Sequence, residues 1–410
     1  MAIPSGSDFP LENLPYGVFE ARDGRGHIGV AIGDRIFDLR TAAEAGLLEN
    51  VGDRASYSAG SLNPILEAGP ELWRALRERL ADLLARDGDP VLRNLNVARF
   101  FVDQCSARMR VPVEIGDYID FYSSEQHATN LGKMFRPNAE PLLPNWKWMP
   151  IGYHGRAGSI VIDATPVSRP CGQRKPASAA IPVWGASTML DFELEIGFLT
   201  GRAAIFGVVL VNDWSARDIQ AWEYQPLGPF LGKSFATTVS PWIVTMDALA
   251  PFRVAPPEQD PQPLSYLRIP GDANYDINLE VKLETEEMRR RGMGPIGIAR
   301  TNAGGLYWTF EQQLAHARSN GAKIRPGDLF ASGTISGSAS GSYGSMIELT
   351  WGGSKPITLP SGERRSFLED GDEVTLHGWC ERRGLRIGFG VCRGRVAPAQ
   401  ICAGSATQER

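Results

Sequence analysis

The chain has 410 residues, with Lys plus Arg at 42 against Asp plus Glu at 47 and a formal net charge of −5. That balance speaks against nucleic-acid binding and against docking on an anionic membrane, both of which draw on a basic excess. With 43% hydrophobic and 22% charged residues the composition is that of a globular protein with a real core, and no apolar run reaches the ~18 residues of a membrane-spanning helix.

Met1-Ala-Ile-Pro-Ser-Gly-Ser has no basic start leading into an apolar segment, so no signal peptide is expected. The five cysteines (Cys105, Cys171, Cys380, Cys392, Cys402) are odd in number, scattered and without a CxxC pair. Free thiols in a cytoplasmic protein are the expectation. Residues 16–40 read as strands: Gly17–Arg22, a turn at Gly24 and Gly26, His27–Ile32, then Gly33-Asp34 as a two-residue turn into Arg35–Leu39. Leu72, Trp73, Leu76, Leu80, Leu83 and Leu84 recur at helical spacing, with Asp87-Gly88 as the stop. This region carries no clustered acids or histidines. It reads as a structural domain, residues 1–112, ending near the Val111-Pro112 step.

Residues 113–410 form the second expected domain. Gly and Pro break it into short strands at 159–163, 189–199, 205–212, 242–246, 277–284, 328–332, 345–350 and 373–377. One helix is well signed: Thr309 and Gln312 form a capping box, Leu314 and Ala317 follow, and Asn320-Gly321 ends it. The fold class is therefore mainly β, a sandwich or roll rather than a βαβ fold. There is no internal repeat, and residues 402–410 read as a frayed tail.

Three segments concentrate reactive side chains. In Asp191-Phe-Glu193-Leu-Glu195-Ile, strand alternation puts the three carboxylates on one face. On a solvent face that is a plain amphipathic strand; in an interior it requires a cation. In Val208–Gln220 an apolar strand runs into Asn212-Asp213-Trp214, and a helical turn from Ser215 would project Arg217 and Gln220 the same way. The plainer reading is a helix start capped by Asp213 or Ser215. Asp117–His127 joins two aspartates and two tyrosines to one of only five histidines. Gly152–Arg156 and Gly333–Gly337 are weaker signals. Carboxylates from three separate segments suit Ca²⁺, Mg²⁺ or Mn²⁺ and leave the histidine free as a base. The residues alone therefore allow a divalent-metal hydrolase or lyase, or a metal-binding sandwich without catalysis.

The same segments resemble the fumarylacetoacetase, or fumarylacetoacetate hydrolase, family. The strings are DYIDFYSSEQHATN (117–130), PNWKWMPIGYHGRAGSIV (144–161), LDFELEIGF (190–198), VNDWSARDIQAWEYQPLGPFLGKSFATTVSPW (211–242), ASGTISG (331–337) and GSMIELTW (344–351). The resemblance implies a small N-terminal Src-homology-3-like β-barrel, a C-terminal mixed β-sandwich roll and a homodimer. It implies hydrolysis of the carbon–carbon bond of a 1,3-diketo acid, 4-fumarylacetoacetate, to fumarate and acetoacetate. That is the last step of tyrosine and phenylalanine catabolism. Asp120, Glu193, Glu195 and Asp213 then match the divalent-cation ligands. His127 matches the water-activating base and Glu348 its orienting carboxylate. Arg217, Gln220 and Lys233 match the groups around the developing charge, and Tyr122, Arg136, Tyr153, Gln220, Tyr224 and Thr334 the substrate contacts. Lys233, through its carbonyl, and Thr237 match a second cation position beside Asp213. The family's loop at 200–204 is longer than Thr200-Gly-Arg-Ala-Ala, and Ser338–Tyr343 replaces a stretch usually rich in prolines and acids. Acylpyruvate hydrolases and oxaloacetate-type decarboxylases share the acids, but the Tyr122–His127 segment, Gly152–Arg156 and the N-terminal region favour the fumarylacetoacetate branch.

Overall fold

The computed structural model describes residues 3–4, 6–85 and 96–400. The N-terminal sheet begins as expected: β1 (Tyr16–Glu20), β2 (Gly26–Ile32) and β3 (Arg35–Asp38) are antiparallel neighbours. β4 (Phe101–Asp103) joins β3, and β5 (Met109–Arg110) joins β1. Helix α1 (Pro70–Leu84) starts on a proline and buries Leu76, Leu80, Leu83 and Leu84. The expected Asp87-Gly88 stop lies outside the described residues.

The centre of the molecule is an eight-stranded sheet. Across it run β7 (Gly152–His154), β6 (Tyr118–Phe121), β14 (Leu329–Ala331), β9 (Leu194–Thr200), β10 (Ile205–Asp213), β11 (Thr237–Val239) and β8 (Ile160–Ile162), with Val244–Thr245 beside β10. A five-stranded sheet holds β12 (Asn278–Glu284), β13 (Ile296–Asn302), β15 (Glu373–Arg382) and β16 (Leu385–Ala397).

Alternation along the central strands decides where chemistry can sit. Ile196, Phe198, Val208 and Leu210 point into a core shared with Leu279, Val281, Leu376 and Phe389 of the five-stranded sheet. Leu199, Val209, Val211 and Leu329 point the other way, into a core shared with Val18, Val30, Leu76 and Leu80 of the N-terminal region. Asp120, Glu195 and Asp213 have the parity of this second face, beyond the point where the apolar packing stops. The loop Gly201–Ala204 closes a tight hairpin, with the Gly201 N–H donating to Ala204 O at 2.8 Å.

Several expectations need correction. The run 189–199 is not one strand: Leu190–Asp191 and β9 are separate, with Glu193 held by a lone bridge to Ser345. Residues 345–350 form a short helix, α5 (Met346–Leu349), rather than a strand. The Asp191 carboxylate accepts from the N–H groups of Met346 and Ile347 at 2.6 and 3.0 Å and caps its start. Only Val244–Thr245 of 242–246 is strand, because Thr245 caps helix α3 (Met246–Leu249). Cys105, Cys380 and Cys392 are free thiols, but Cys171 is disulfide-bonded. α4 (Phe310–Arg318) carries the expected capping box. α2 (Glu125–Phe135), with Ser124 as N-cap, was not anticipated.

Candidate active site

Strand pairing brings the acids together. Asp120 on β6 lies opposite Ala331 of β14, which sits beside β9; Glu195 on β9 neighbours β10, which ends at Asp213 opposite Thr237. Asp120, Glu195 and Asp213 each offer a carboxylate oxygen within 4.8 Å of the others. All three are buried.

Their partners differ. Both oxygens of Glu195 and Oδ1 of Asp120 accept no hydrogen bond. Asp120 Oδ2 accepts from Tyr153 Oη and Arg156 Nη2, each at 2.9 Å. Asp213 Oδ2 accepts from Arg156 Nη2 at 2.7 Å and Lys233 Nζ at 2.6 Å, and its Oδ1 from Thr237 Oγ1 at 3.1 Å. Glu193 stands apart from the triad: Arg217 takes its Oε1 at 2.7 Å and Lys233 its Oε2 at 2.5 Å. Arg217 also holds Asp191 through Nε at 2.8 Å.

Five buried carboxylates (Asp120, Asp191, Glu193, Glu195, Asp213) therefore face three cations (Arg156, Arg217, Lys233), which leaves two formal negative charges. An unpaired buried carboxylate costs several kcal/mol. Two protons or one divalent cation would neutralise the excess. The orphaned oxygens of Glu195 and Asp120 are hard donors of the kind Mg²⁺ and Ca²⁺ take, so the residues fit such an ion.

The protonation equilibria follow from these contacts. Burial, then Asp213, push the Asp120 carboxyl up to about 7. Burial, then Asp120 and Asp213, push Glu195 well above the carboxylate range. Burial alone would raise Glu193 too, but Lys233 and Arg217 outweigh it and hold that group low. An acid with a raised folded-state pKa stabilises the fold below its unfolded value, and the contribution is lost as pH rises through the folded value. Without a divalent ion, the acid cluster should therefore cost stability progressively from about pH 4 through 7. The rise in melting temperature on adding Mg²⁺ or Ca²⁺ should be small at about pH 5 and grow toward about pH 8. Thermal unfolding across that range is the check, and a pH-independent rise would place the ion elsewhere.

Beside the acids stands a histidine–carboxylate pair. His127 on α2 and Glu348 on α5 are both buried, with His127 Nδ1 2.7 Å from Glu348 Oε2. Burial alone would raise Glu348, but His127 and the donors Asn130 and Ser345 keep it below the usual range. The Tyr122 ring meets the imidazole edge-on at 5.4 Å. Arg217 Nη1 donates to Gln220 Oε1 at 3.1 Å, while Arg217 Nη2 is buried without a partner. Thr334, also buried with an unpartnered hydroxyl, follows Gly333, whose φ of 75° and 2.2 Å virtual Cβ approach to Phe121 O admit only glycine. Arg136 donates Nη2 to Pro141 O at 2.6 Å, and its Nε is unpartnered. Tyr224 lies farther out, its ring 6.4 Å from Phe135.

Arg156 entered the sequence reading only as the end of the weak Gly152–Arg156 signal, with no role of its own. Its backbone is left-handed at φ 60°, a conformation that costs a non-glycine residue on the order of 1 kcal/mol. The guanidinium lies over the Tyr118 and Tyr153 rings at 4.8 Å and bridges two acids distant in sequence. Its position three residues after Tyr153 was the one local signal. Asn130, Ser336 and Ser345, all bonded to Glu348, were missed as well.

A cluster of orphaned acids beside a histidine–carboxylate pair is a centre suited to metal-assisted hydrolysis. Residues 12–119 match the fumarylacetoacetase N-terminal family, and residues 118–397 the fumarylacetoacetate (FAA) hydrolase C-terminal family. The fumarylacetoacetase of Caenorhabditis elegans is 48% identical, over 98% of this chain and 99% of its own length. That of Homo sapiens is 49% identical over 97% and 98%, and that of Arabidopsis thaliana 47% over 97% and 97%. A solved fumarylacetoacetate hydrolase from psychrophilic Exiguobacterium antarcticum shares the fold at TM-score 0.52 and 17% identity, covering 94% of this chain and 100% of that one. The chain belongs to the fumarylacetoacetase family.

Proposed function

We propose that this protein hydrolyses the carbon–carbon bond of 4-fumarylacetoacetate, releasing fumarate and acetoacetate, the last step of tyrosine and phenylalanine catabolism. The observation that carries the reading is the buried His127–Glu348 pair beside carboxylate oxygens that have no donor of their own.

A divalent cation held by Asp120, Glu195 and Asp213, with Glu193 as a further ligand, would supply Lewis acidity toward the diketone oxygens. Glu348 holds the Nδ1 side of His127, and Nε2 takes a proton from water. The resulting hydroxide adds to the carbonyl carbon of the fumaroyl group. Arg217 Nη2, the free amide hydrogens of Gln220 and the remaining N–H of Lys233 face the oxyanion; such donors are each worth about 3–4 kcal/mol. The tetrahedral centre collapses, the carbon–carbon electron pair leaves as the enolate of acetoacetate, and the His127 proton returns to carbon. Arg136, with an unpartnered Nε, suits a planar terminal carboxylate. Tyr122, Tyr153, Tyr224 and Thr334 complete the substrate contacts. A second cation beside Asp213, Lys233 and Thr237 belongs to the same reading.

Steady-state turnover of fumarylacetoacetate with and without chelator tests it. The expected result is turnover that chelator abolishes and Mg²⁺ or Ca²⁺ restores. Faster turnover of an acylpyruvate would move the substrate to another diketo acid.

The finer architecture belongs to the proposal: an N-terminal Src-homology-3-like barrel over residues 1–112, and a catalytic β-roll over 113–410. The expected setting is the cytoplasm; among the described residues no helix is long and apolar enough to cross a membrane. A homodimer is also part of it. Ile181 is 72% exposed, Phe230 69% and Leu227 96%, and the exposed Trp184 and Trp222 lie on either side of Gln173. Exposed large apolar side chains of this kind suit a protein–protein interface. Light scattering should give twice the chain mass, and Phe230→Asp should shift it toward the monomer.

A further inference from the structure

α2 turns two side chains onto one carboxylate. His127 and Asn130 are three residues apart and share a helix face. They take opposite oxygens of Glu348: His127 Nδ1 lies 2.7 Å from Oε2, and Asn130 Nδ2 donates to Oε1 at 2.9 Å. Ser336 Oγ and Ser345 Oγ also donate to Oε2, at 2.9 and 2.7 Å. Oε2 thus carries three partners, while Asn130 is the donor recorded on Oε1. The last torsion of a glutamate is soft, with no sharp rotamer wells. Three partners on one oxygen fix a point but leave the carboxylate plane free to swing about it. A fourth, on the other oxygen, fixes the plane. A carboxylate only accepts, so the Asn130 amide presents its NH₂. The side chain sits in the helix interior with 7% of its surface exposed.

We propose that Asn130 is a positioning residue for the reaction: by locking the Glu348 plane it keeps the proton on His127 Nδ1 and leaves Nε2 as the free lone pair that meets water. The inference rests on His127 being the base.

Kinetics and nitrogen NMR on the full chain test it. Asn130→Leu keeps the branching of the side chain and removes the donor; kcat should fall by about 10- to 100-fold, the usual effect of disturbing a group behind a reacting residue, with KM changed by less than about twofold. Glu348→Gln removes the charge that Asn130 orients. On that background Asn130→Leu should change kcat by less than about twofold, whereas a purely structural role would cost the same factor in both. With five histidines in the chain, the ¹⁵N resonances of His127 can be assigned by their loss in His127→Ala. They should report the Nδ1-protonated ring in the wild type and a mixture of tautomers in Asn130→Leu. If that variant does not fold, Asn130→Ala is read the same way. Equal losses in both backgrounds, or an unchanged tautomer, would overturn the proposal. Near-normal turnover of His127→Ala would instead remove the base itself. Inactive His127→Ala beside unimpaired Asn130→Leu would sink the Asn130 inference alone.

Discussion

His127→Ala should lower kcat by about 10²- to 10⁴-fold, the range that a positioned general base contributes, while bound divalent ion stays at the wild-type level. The neighbouring groups explain why no substitute is at hand. Burial pushes the Tyr122 phenol up, so it holds its proton at neutral pH. Lys233 is buried against Asp213 and Glu193, whose charges outweigh desolvation and keep it an ammonium. Glu193 spends both oxygens on Arg217 and Lys233. His127 makes no hydrogen bond to Asp120, Glu195 or Asp213, so its loss leaves the cation site whole. Steady-state assay and metal analysis of the same preparation check both halves. A rate near wild type would remove His127 from the chemistry, and loss of metal would make it a ligand.

What the residues disclosed in advance was what they encode locally. The Gly33-Asp34 turn and the Thr309–Gln312 capping box need only neighbours in sequence, and both formed as read. Period-two alternation put Asp191, Glu193 and Glu195 toward one interior, where Arg217 and Lys233 meet the first two and Glu195 is left without a partner. What stayed hidden depends on remote partners. α5 reads as a strand because its apolar spacing suits one, yet the cap that makes it a helix is Asp191, 155 residues earlier. α2 buries a polar face of His127 and Asn130, so no apolar stripe announces it. Arg156 is recognisable only once β7, β6 and β10 bring Asp120 and Asp213 to it. The family resemblance groups Glu193 with the ligands, and the contacts of that carboxylate with Arg217 and Lys233 were not legible beside it; sequence carries residue type but not which cation each carboxylate meets.

Glu195 offers the sharper test of the acid cluster, because its two oxygens answer to no protein donor. Glu195→Gln keeps the shape and removes one negative charge. At about 4 Å and an effective dielectric near 20, a unit charge is worth roughly 4 kcal/mol to another unit charge and twice that to a divalent ion before desolvation, so divalent affinity should weaken by about 10³-fold or more, and turnover should fail at ordinary Mg²⁺ or Ca²⁺ concentrations. Stability should move the opposite way. In the chelated wild type at about pH 8 the Glu195 carboxyl is either ionised without a partner or holding a proton against the solution, and both cost free energy. The glutamine carries neither burden, so the chelated variant should melt higher than the chelated wild type and gain nothing from added cation. Glu193→Gln should behave differently: weakening the pairs to Arg217 and Lys233 leaves buried cations under-compensated, a loss of about 3–5 kcal/mol in comparable cases, so it should melt lower with or without the ion. Calorimetry on the two variants separates a carboxylate without any protein donor from one that also compensates buried cations. If Glu195→Gln melted lower in chelator, its carboxylate would be stabilising the fold on its own, and the cluster would not be a cation site.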